Sequence, residues 1–62
     1  MKKVEQEEFY AHVEKQNLVN EGPIFEDGYI DEEFWHKTKR EVGAFIRYTD
    51  DGGTIYFIKE LS

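Results

Sequence analysis

Residues 31–42, DEEFWHKTKREV, carry the best-marked pattern of hydrophobic and polar positions in the chain. A helix turns by about 100° per residue, and at that rotation four side chains fall within one stripe roughly 100° wide. The four are Phe34, Trp35, Thr38 and Val42. The pattern predicts an amphipathic helix over these residues, with its two aromatic side chains packed against a core.

Both ends of this segment carry residues typical of helix termini. Asp31 is a favoured N-cap residue. Glu32 and Glu33 follow it in the first turn, where the helix dipole favours anions. Arg40 lies near the other end, where the dipole favours cations, and Gly43 is placed to end the helix in a left-handed conformation. These signals support a helix between Asp31 and Val42.

A weaker apolar stripe predicts another amphipathic helix over about residues 5–17. Its members are Phe9, Tyr10 and Val13. The intervening residues 18–30, LVNEGPIFEDGYI, hold several residues that interrupt regular structure. We expect this segment to be irregular, with a turn at Glu26-Asp27-Gly28.

Alternation near the C-terminus predicts a β-hairpin with strands near 44–49 and 54–60. Asp51-Gly52 is a favoured turn pair, and a loop over 50–53 gives the same register. A single hairpin is not stable alone, so the helices are expected to cover it. The predicted fold is therefore α+β: two amphipathic helices packed on a C-terminal antiparallel β-hairpin, in the order helix, irregular segment, helix, hairpin. Residues 1–62 form a single small domain in this prediction.

The predicted hairpin register gives the sheet a second apolar face, turned away from the helices. On that face Phe45 is expected opposite Ile58, and Arg47 opposite Tyr56. Protein interfaces are enriched in arginine and aromatic side chains. We therefore predict that these four residues contact a partner. The alternative is that residues 18–30 cover this face within the same molecule.

Composition supports an ordered globule in spite of 35% charged residues, because the chain holds five Phe, four Tyr and one Trp. No apolar run approaches the roughly 20 residues that cross a membrane. The start, MKKVEQEEF, lacks the apolar segment of a signal peptide. We expect a soluble cytoplasmic protein without membrane contacts and, since the chain begins with Met1, a complete small gene product.

The net charge of −6 is unevenly distributed along the chain. Residues 1–34 hold ten acids against three lysines, which gives −7, and residues 35–62 hold five bases against four acids, which gives +1. An acidic protein repels phosphate backbones and attracts basic partners. The distribution leaves room for one locally basic surface.

Catalysis and metal binding find little support in the residue types. The histidines are His12 and His36, and the one serine is Ser62, so no pair of nucleophile and base is suggested. The absence of cysteine removes disulfides and thiolate zinc sites. The acids of residues 26–33 do not follow the alternating order of a calcium loop. We predict a protein that is not an enzyme and that holds no metal or cofactor.

Nucleic-acid binding is the alternative function. The predicted order of elements resembles a winged-helix layout, with 31–42 as the reading helix and 50–53 as the wing tip. The phosphate contacts would be His36, Lys37, Arg40 and Arg47. However, Asp50 and Asp51 make the wing tip acidic, whereas phosphate binding requires basic side chains. Nucleic acid is therefore the less favoured partner.

Contact with another protein is the favoured function. We expect a small acidic accessory or regulatory protein, such as an inhibitor from a phage or mobile element. Its partner is expected to be a basic or nucleic-acid-binding protein, and a homodimer is a further candidate. In a sharper version the protein mimics DNA and its acids substitute for phosphates. These acids are Glu5, Glu7, Glu8, Glu14, Glu26, Asp27, Asp31, Glu32 and Glu33.

Overall fold

A computed structural model describes residues 1–60 as one helix and five strands. The elements are β1 (Lys2–Val4), α1 (Gln6–Gln16), β2 (Leu18–Glu26), β3 (Tyr29–His36), β4 (Glu41–Thr49) and β5 (Thr54–Ile58). The strands form one antiparallel sheet in the order β1-β5-β4-β3-β2. The chain therefore crosses from one edge of the sheet to the other through α1. The fold is α+β, but the predicted arrangement of two helices on a hairpin is wrong.

The first predicted helix is confirmed as α1. Phe9, on its apolar stripe, is completely buried. The helix ends where Asn17 takes a left-handed conformation (φ 54°) and donates its backbone N–H to the carbonyl groups of Glu14 and Val13. Among residues 1–60 this is the only helix. With 11 residues, it is neither long enough nor apolar enough to cross a lipid bilayer.

The predicted helix over 31–42 is wrong, because these residues form the end of β3, a turn and the start of β4. In a strand, successive side chains instead alternate between the two faces. In β3 that alternation buries Phe34 and His36, and it turns Trp35 to the opposite face. Gly43, expected to end a helix, lies in β4 beside a β-bulge. Pairing with β2 and β4 satisfies the backbone of β3 on both sides.

The predicted irregular segment over 18–30 is also wrong, because it forms β2 and the start of β3. The predicted turn is confirmed: Asp27 and Gly28 join the two strands, and Gly28 has a φ of 89°. Pro23 is tolerated because β2 is an edge strand whose register shifts between Asn20 and Pro23.

The C-terminal hairpin is confirmed as β4 and β5, but the predicted register is wrong by one residue. Phe45 lies opposite Phe57, and Arg47 lies opposite Ile55. The loop closes through a hydrogen bond from Thr49 N–H to the Gly53 carbonyl (3.0 Å), with Gly52 left-handed (φ 87°). A shift of one residue moves each affected side chain to the other face of the sheet.

The core lies between α1 and one face of the sheet, which we call the helix face. Its members are Val4, Phe9, Leu18, Phe34, Ala44, Ile46 and Ile58. The Phe9 ring makes an edge contact with Phe34, 5.3 Å between centroids, and a tilted contact with Tyr56 at 5.2 Å. We call the opposite side of the sheet the open face. No element within residues 1–60 covers the open face, since β2 and β3 belong to the sheet itself.

Candidate functional site

The four predicted contact residues do not share one face. Phe45 and Arg47 lie on the open face, whereas Tyr56 and Ile58 alternate onto the helix face. Ile58 is 6% exposed and belongs to the core, and Tyr56 packs against it. The one-residue error in register is the cause. A contact role for Phe45 and Arg47 stays a prediction, while Tyr56 and Ile58 are placed with the core.

Three aromatic rings gather around Arg47 on the open face, and we call this group the aromatic cluster. Phe45 and Phe57 stack at 4.6 Å between centroids, with 21° between their planes. The Arg47 guanidinium carbon lies 4.1 Å from the Tyr29 centroid, 5.2 Å from that of Phe45 and 5.8 Å from that of Phe57. These distances are within the range of cation–π attraction. Sequence reasoning missed Phe57 and Tyr29. The adjacent Gly52 and Gly53 were the signal that the hairpin loop could take another length.

A carboxylate on β3 holds Arg47 in place. Arg47 donates from Nε to Asp31 Oδ1 at 2.9 Å and from Nη2 to Asp31 Oδ2 at 3.0 Å. The hydrogen bond to Asp31 raises the pKa of Arg47 above its usual value. The pair leaves the cluster without net charge. Asp31 therefore positions a side chain on the open face and does not cap a helix.

A cleft of about 300 Å³ opens beside the cluster, between β2 and β3. We call it the Trp35 cleft. It is lined by Glu21, Gly22, Ile24, Glu33 and Trp35. The Trp35 indole Nε1–H donates to Glu33 Oε1 at 3.1 Å, which orients both side chains. Ile24, Glu33 and Trp35 reach the cleft by the alternation that directs Asp31 to the open face.

The nine acids predicted to mimic DNA are divided among three places. They are Glu5, Glu7, Glu8 and Glu14 at α1, Glu26 and Asp27 at the β2–β3 turn, and Asp31, Glu32 and Glu33 in β3. Alternation along β3 turns Glu32 to the helix face and its two neighbours to the open face. The structure thus does not gather these acids on one surface, and DNA mimicry stays a prediction.

Glu32 instead forms a small polar group beyond the end of the core. It accepts hydrogen bonds from the Tyr48 hydroxyl and, at 2.9 Å, from the Asn20 amide. The bond from Tyr48, followed by that from Asn20, lowers the pKa of Glu32. The same bond raises the pKa of Tyr48 to about 12. The group links β2, β3 and β4 on the helix face.

The four residues of the nucleic-acid alternative lie apart. His36 is 7% exposed and packs near Gly43, while Lys37 and Arg40 occupy the exposed β3–β4 turn. Arg47 is engaged by Asp31 on the open face. The reading helix over 31–42 does not exist, because that segment is strand and turn. The winged-helix arrangement is therefore wrong, whereas nucleic-acid binding itself stays a prediction.

Within residues 1–60 no three acids or histidines lie close enough together to hold a metal ion. Ser62, considered above as a nucleophile, lies outside the described residues. Comparisons of the chain with protein-family models, curated proteins and solved structures find no match. The function must therefore be argued from the open face and the Trp35 cleft.

Proposed function

We propose that this protein acts by binding another protein through the open face of its sheet. The observation that carries the proposal is the aromatic cluster. Phe45 and Phe57 stack at 4.6 Å beside Arg47, on a face that no element of residues 1–60 covers. Aromatic side chains, phenylalanine included, and arginine are enriched at protein interfaces relative to the rest of the surface.

The composition of the open face supports a contact role over a merely solvated one. An antiparallel sheet with one face in water ordinarily places polar side chains there. In β4 and β5 the open face instead presents Phe45, Ile55 and Phe57, all only half-buried. Their apolar surface is removed from water when a partner covers it, which favours binding.

The fixed geometry of Arg47 supports the same role. Its two hydrogen bonds to Asp31 restrain the guanidinium group in the unbound protein. A side chain that is already ordered loses less conformational entropy on binding. The ring of Tyr29, 4.1 Å from the guanidinium carbon, restrains it further. The cluster is thus a pre-organised contact surface.

Charge favours a basic protein as the partner. The chain carries a net charge of −6, and an acidic surface attracts basic partners over long range. Such steering acts mainly on the association rate, and salt weakens it because the screening length is about 8 Å at physiological ionic strength. The proposal therefore includes faster association at low salt.

Affinity capture from cells of the source organism tests this function. Tagged wild-type protein is compared with a Phe45→Thr, Phe57→Thr double variant, since threonine keeps a high strand propensity while removing the rings. Phe25→Thr is the matched control, because Phe25 is a 72% exposed strand residue on the helix face. Circular dichroism establishes that all three proteins are folded.

The proposal expects one or more proteins to be captured by wild type and by the control, and to be lost with the double variant. Capture that is identical for all three proteins contradicts it. Sedimentation velocity tests whether the wild-type protein forms a homodimer. A wild-type dimer that the double variant dissociates would assign the open face to a second copy and would contradict a separate partner.

A further inference from the structure

We infer that the Trp35 cleft binds the side chain of a lysine or arginine of the partner protein. This inference rests on the proposed function, because the cleft opens on the same face as the aromatic cluster. The occupant has an apolar stem and a positively charged end.

The shape of the cleft comes from the irregular pairing of β2 and β3. The register shifts between Asn20 and Pro23, and Gly22 lies in this interval with a φ of 95°. A Cβ atom added at Gly22 would meet nothing within 4 Å, so space is open there. The volume of about 300 Å³ is at the lower end of ligand pockets, which suits one side chain.

The lining of the cleft complements a cationic side chain. Ile24 and the Trp35 ring offer apolar contact to a methylene stem, and tryptophan is the strongest aromatic partner for a cation. Glu21 and Glu33 supply two carboxylates and face no basic residue in the lining. Among residues 1–60, neither carboxylate belongs to an ion pair.

The aromatic cluster already shows this arrangement with its cation bound. There the Tyr29 ring and the Asp31 carboxylate hold Arg47. The guanidinium carbon lies 4.1 Å from the ring centroid, and Nε lies 2.9 Å from Asp31 Oδ1. The Trp35 cleft repeats the combination of ring and carboxylate with Trp35 and Glu33 on the same strand. In the cleft, however, the chain contributes no basic side chain to the lining.

Trp35 is the single tryptophan of the chain, so its indole N–H signal in NMR spectra reports directly on the cleft. The probes are acetyl-Gly-X-Gly-amide peptides in which X is arginine, lysine or citrulline, added to full-length protein at low salt. The arginine and lysine peptides should give a saturable shift of this signal. The citrulline peptide, which has the shape of arginine without its charge, should not.

Glu21→Gln with Glu33→Gln removes both charges, and glutamine at 33 still accepts the indole hydrogen bond. The double variant should bind the arginine peptide about five- to tenfold more weakly, because exposed ion pairs contribute modestly. Glu7→Gln with Glu14→Gln is the matched control: it makes the same charge change on exposed positions of α1 and should change affinity by less than about twofold.

Equal binding of the citrulline peptide, or equal weakening by the two double variants, would overturn the inference. Its failure is separable from that of the proposed function. If no peptide shifts the indole signal but capture still depends on Phe45 and Phe57, the cleft does not bind a cationic side chain and the proposed contact face stands. If the arginine and lysine peptides bind specifically but capture does not depend on Phe45 and Phe57, the cation site in the cleft stands and the proposed contact face is wrong.

Discussion

Asp31 on β3 and Arg47 on β4 are opposite each other in the sheet and are joined by two parallel hydrogen bonds, at 2.9 and 3.0 Å. The side chain of Asp31 is 13% exposed and that of Arg47 is 32% exposed. A two-pronged pair of this kind fixes the relative geometry of its members more strictly than a single contact does. Partial shielding from water also strengthens it relative to a fully exposed pair.

Asp31→Asn should lower the free energy of unfolding by about 1–2 kcal/mol, because the charge of Arg47 is left without its carboxylate. Urea denaturation followed by circular dichroism measures the change. Glu41→Gln provides the comparison, since it breaks the Lys59–Glu41 pair, whose side chains are 46% and 41% exposed. That variant should cost less than about 0.5 kcal/mol. Equal costs for the two variants would contradict the role given to Asp31.

Asp31 also shows where prediction from the sequence failed. Asp31 precedes an apolar stripe that contains Phe34 and Trp35, which is the position of a helix N-cap. The cap and the stripe therefore both predicted a helix. Adjacent aromatic residues share a helical stripe, but in a strand they point to opposite faces. Which period applies depends on pairing partners: β2 precedes the segment and β4 follows it. No window over residues 31–42 contains that information.

The elements that local chemistry determines were predictable. The apolar stripe around Phe9 identified α1, and the glycines at 28 and 52 identified both turns. The register of the last hairpin was not predictable, because a loop with two glycines accepts more than one length. That single residue decides whether Phe57 or Tyr56 accompanies Phe45 on the open face. The prediction from the sequence consequently included Phe45 and Arg47 of the aromatic cluster and missed Phe57 and Tyr29.

The two aromatic neighbours on β3 should differ sharply in their contribution to stability. Phe34 is 8% exposed and contacts Phe9 in the core, so Phe34→Ala should cost about 3–5 kcal/mol. A domain of this size has little more stability than that to lose. Trp35 is half-buried on the open face, and Trp35→Ala should cost roughly 1–2 kcal/mol. Thermal denaturation ranks the variants, and the reverse order would contradict the assignment of faces.

Gly43 is required by close packing. A Cβ atom at this position would lie 2.7 Å from Leu18 Cδ2 and 2.9 Å from His36 Nε2, and both neighbours are buried. Gly43→Ala should therefore cost about 1–3 kcal/mol, since overpacking forces side chains to move. A double-mutant cycle with Leu18→Ala tests the cause. The cost of Gly43→Ala should fall in the background that lacks the leucine methyl groups, and strict additivity would show that Leu18 is not responsible.

Tyr48 and Glu32 should make stability depend on pH at both ends of the scale. Their hydrogen bond needs a protonated tyrosine and is strongest with an ionised glutamate. It raises the pKa of Tyr48 from 10.0 to about 12 and lowers the pKa of Glu32 below 4.5. Stability linked to Tyr48 is thus complete below pH 10 and is lost as the pH rises towards 12. Stability linked to Glu32 is complete above pH 4.5 and is lost as the pH falls through its lowered pKa.

Tyr48→Phe isolates this pair, because it removes the hydroxyl group and keeps the ring. The free energy of unfolding of wild type minus that of the variant should be positive and constant near neutral pH. It should shrink towards zero between pH 10 and about 12, where the unfolded state releases the Tyr48 proton first. It should shrink again in acid as Glu32 becomes protonated. Tyr10 and Tyr56, which also raise the pKa of Tyr48, are present in both proteins. Urea denaturation across the pH range gives the curve, and a difference that stays level from acid to alkali would show that the hydrogen bond does not stabilise the fold.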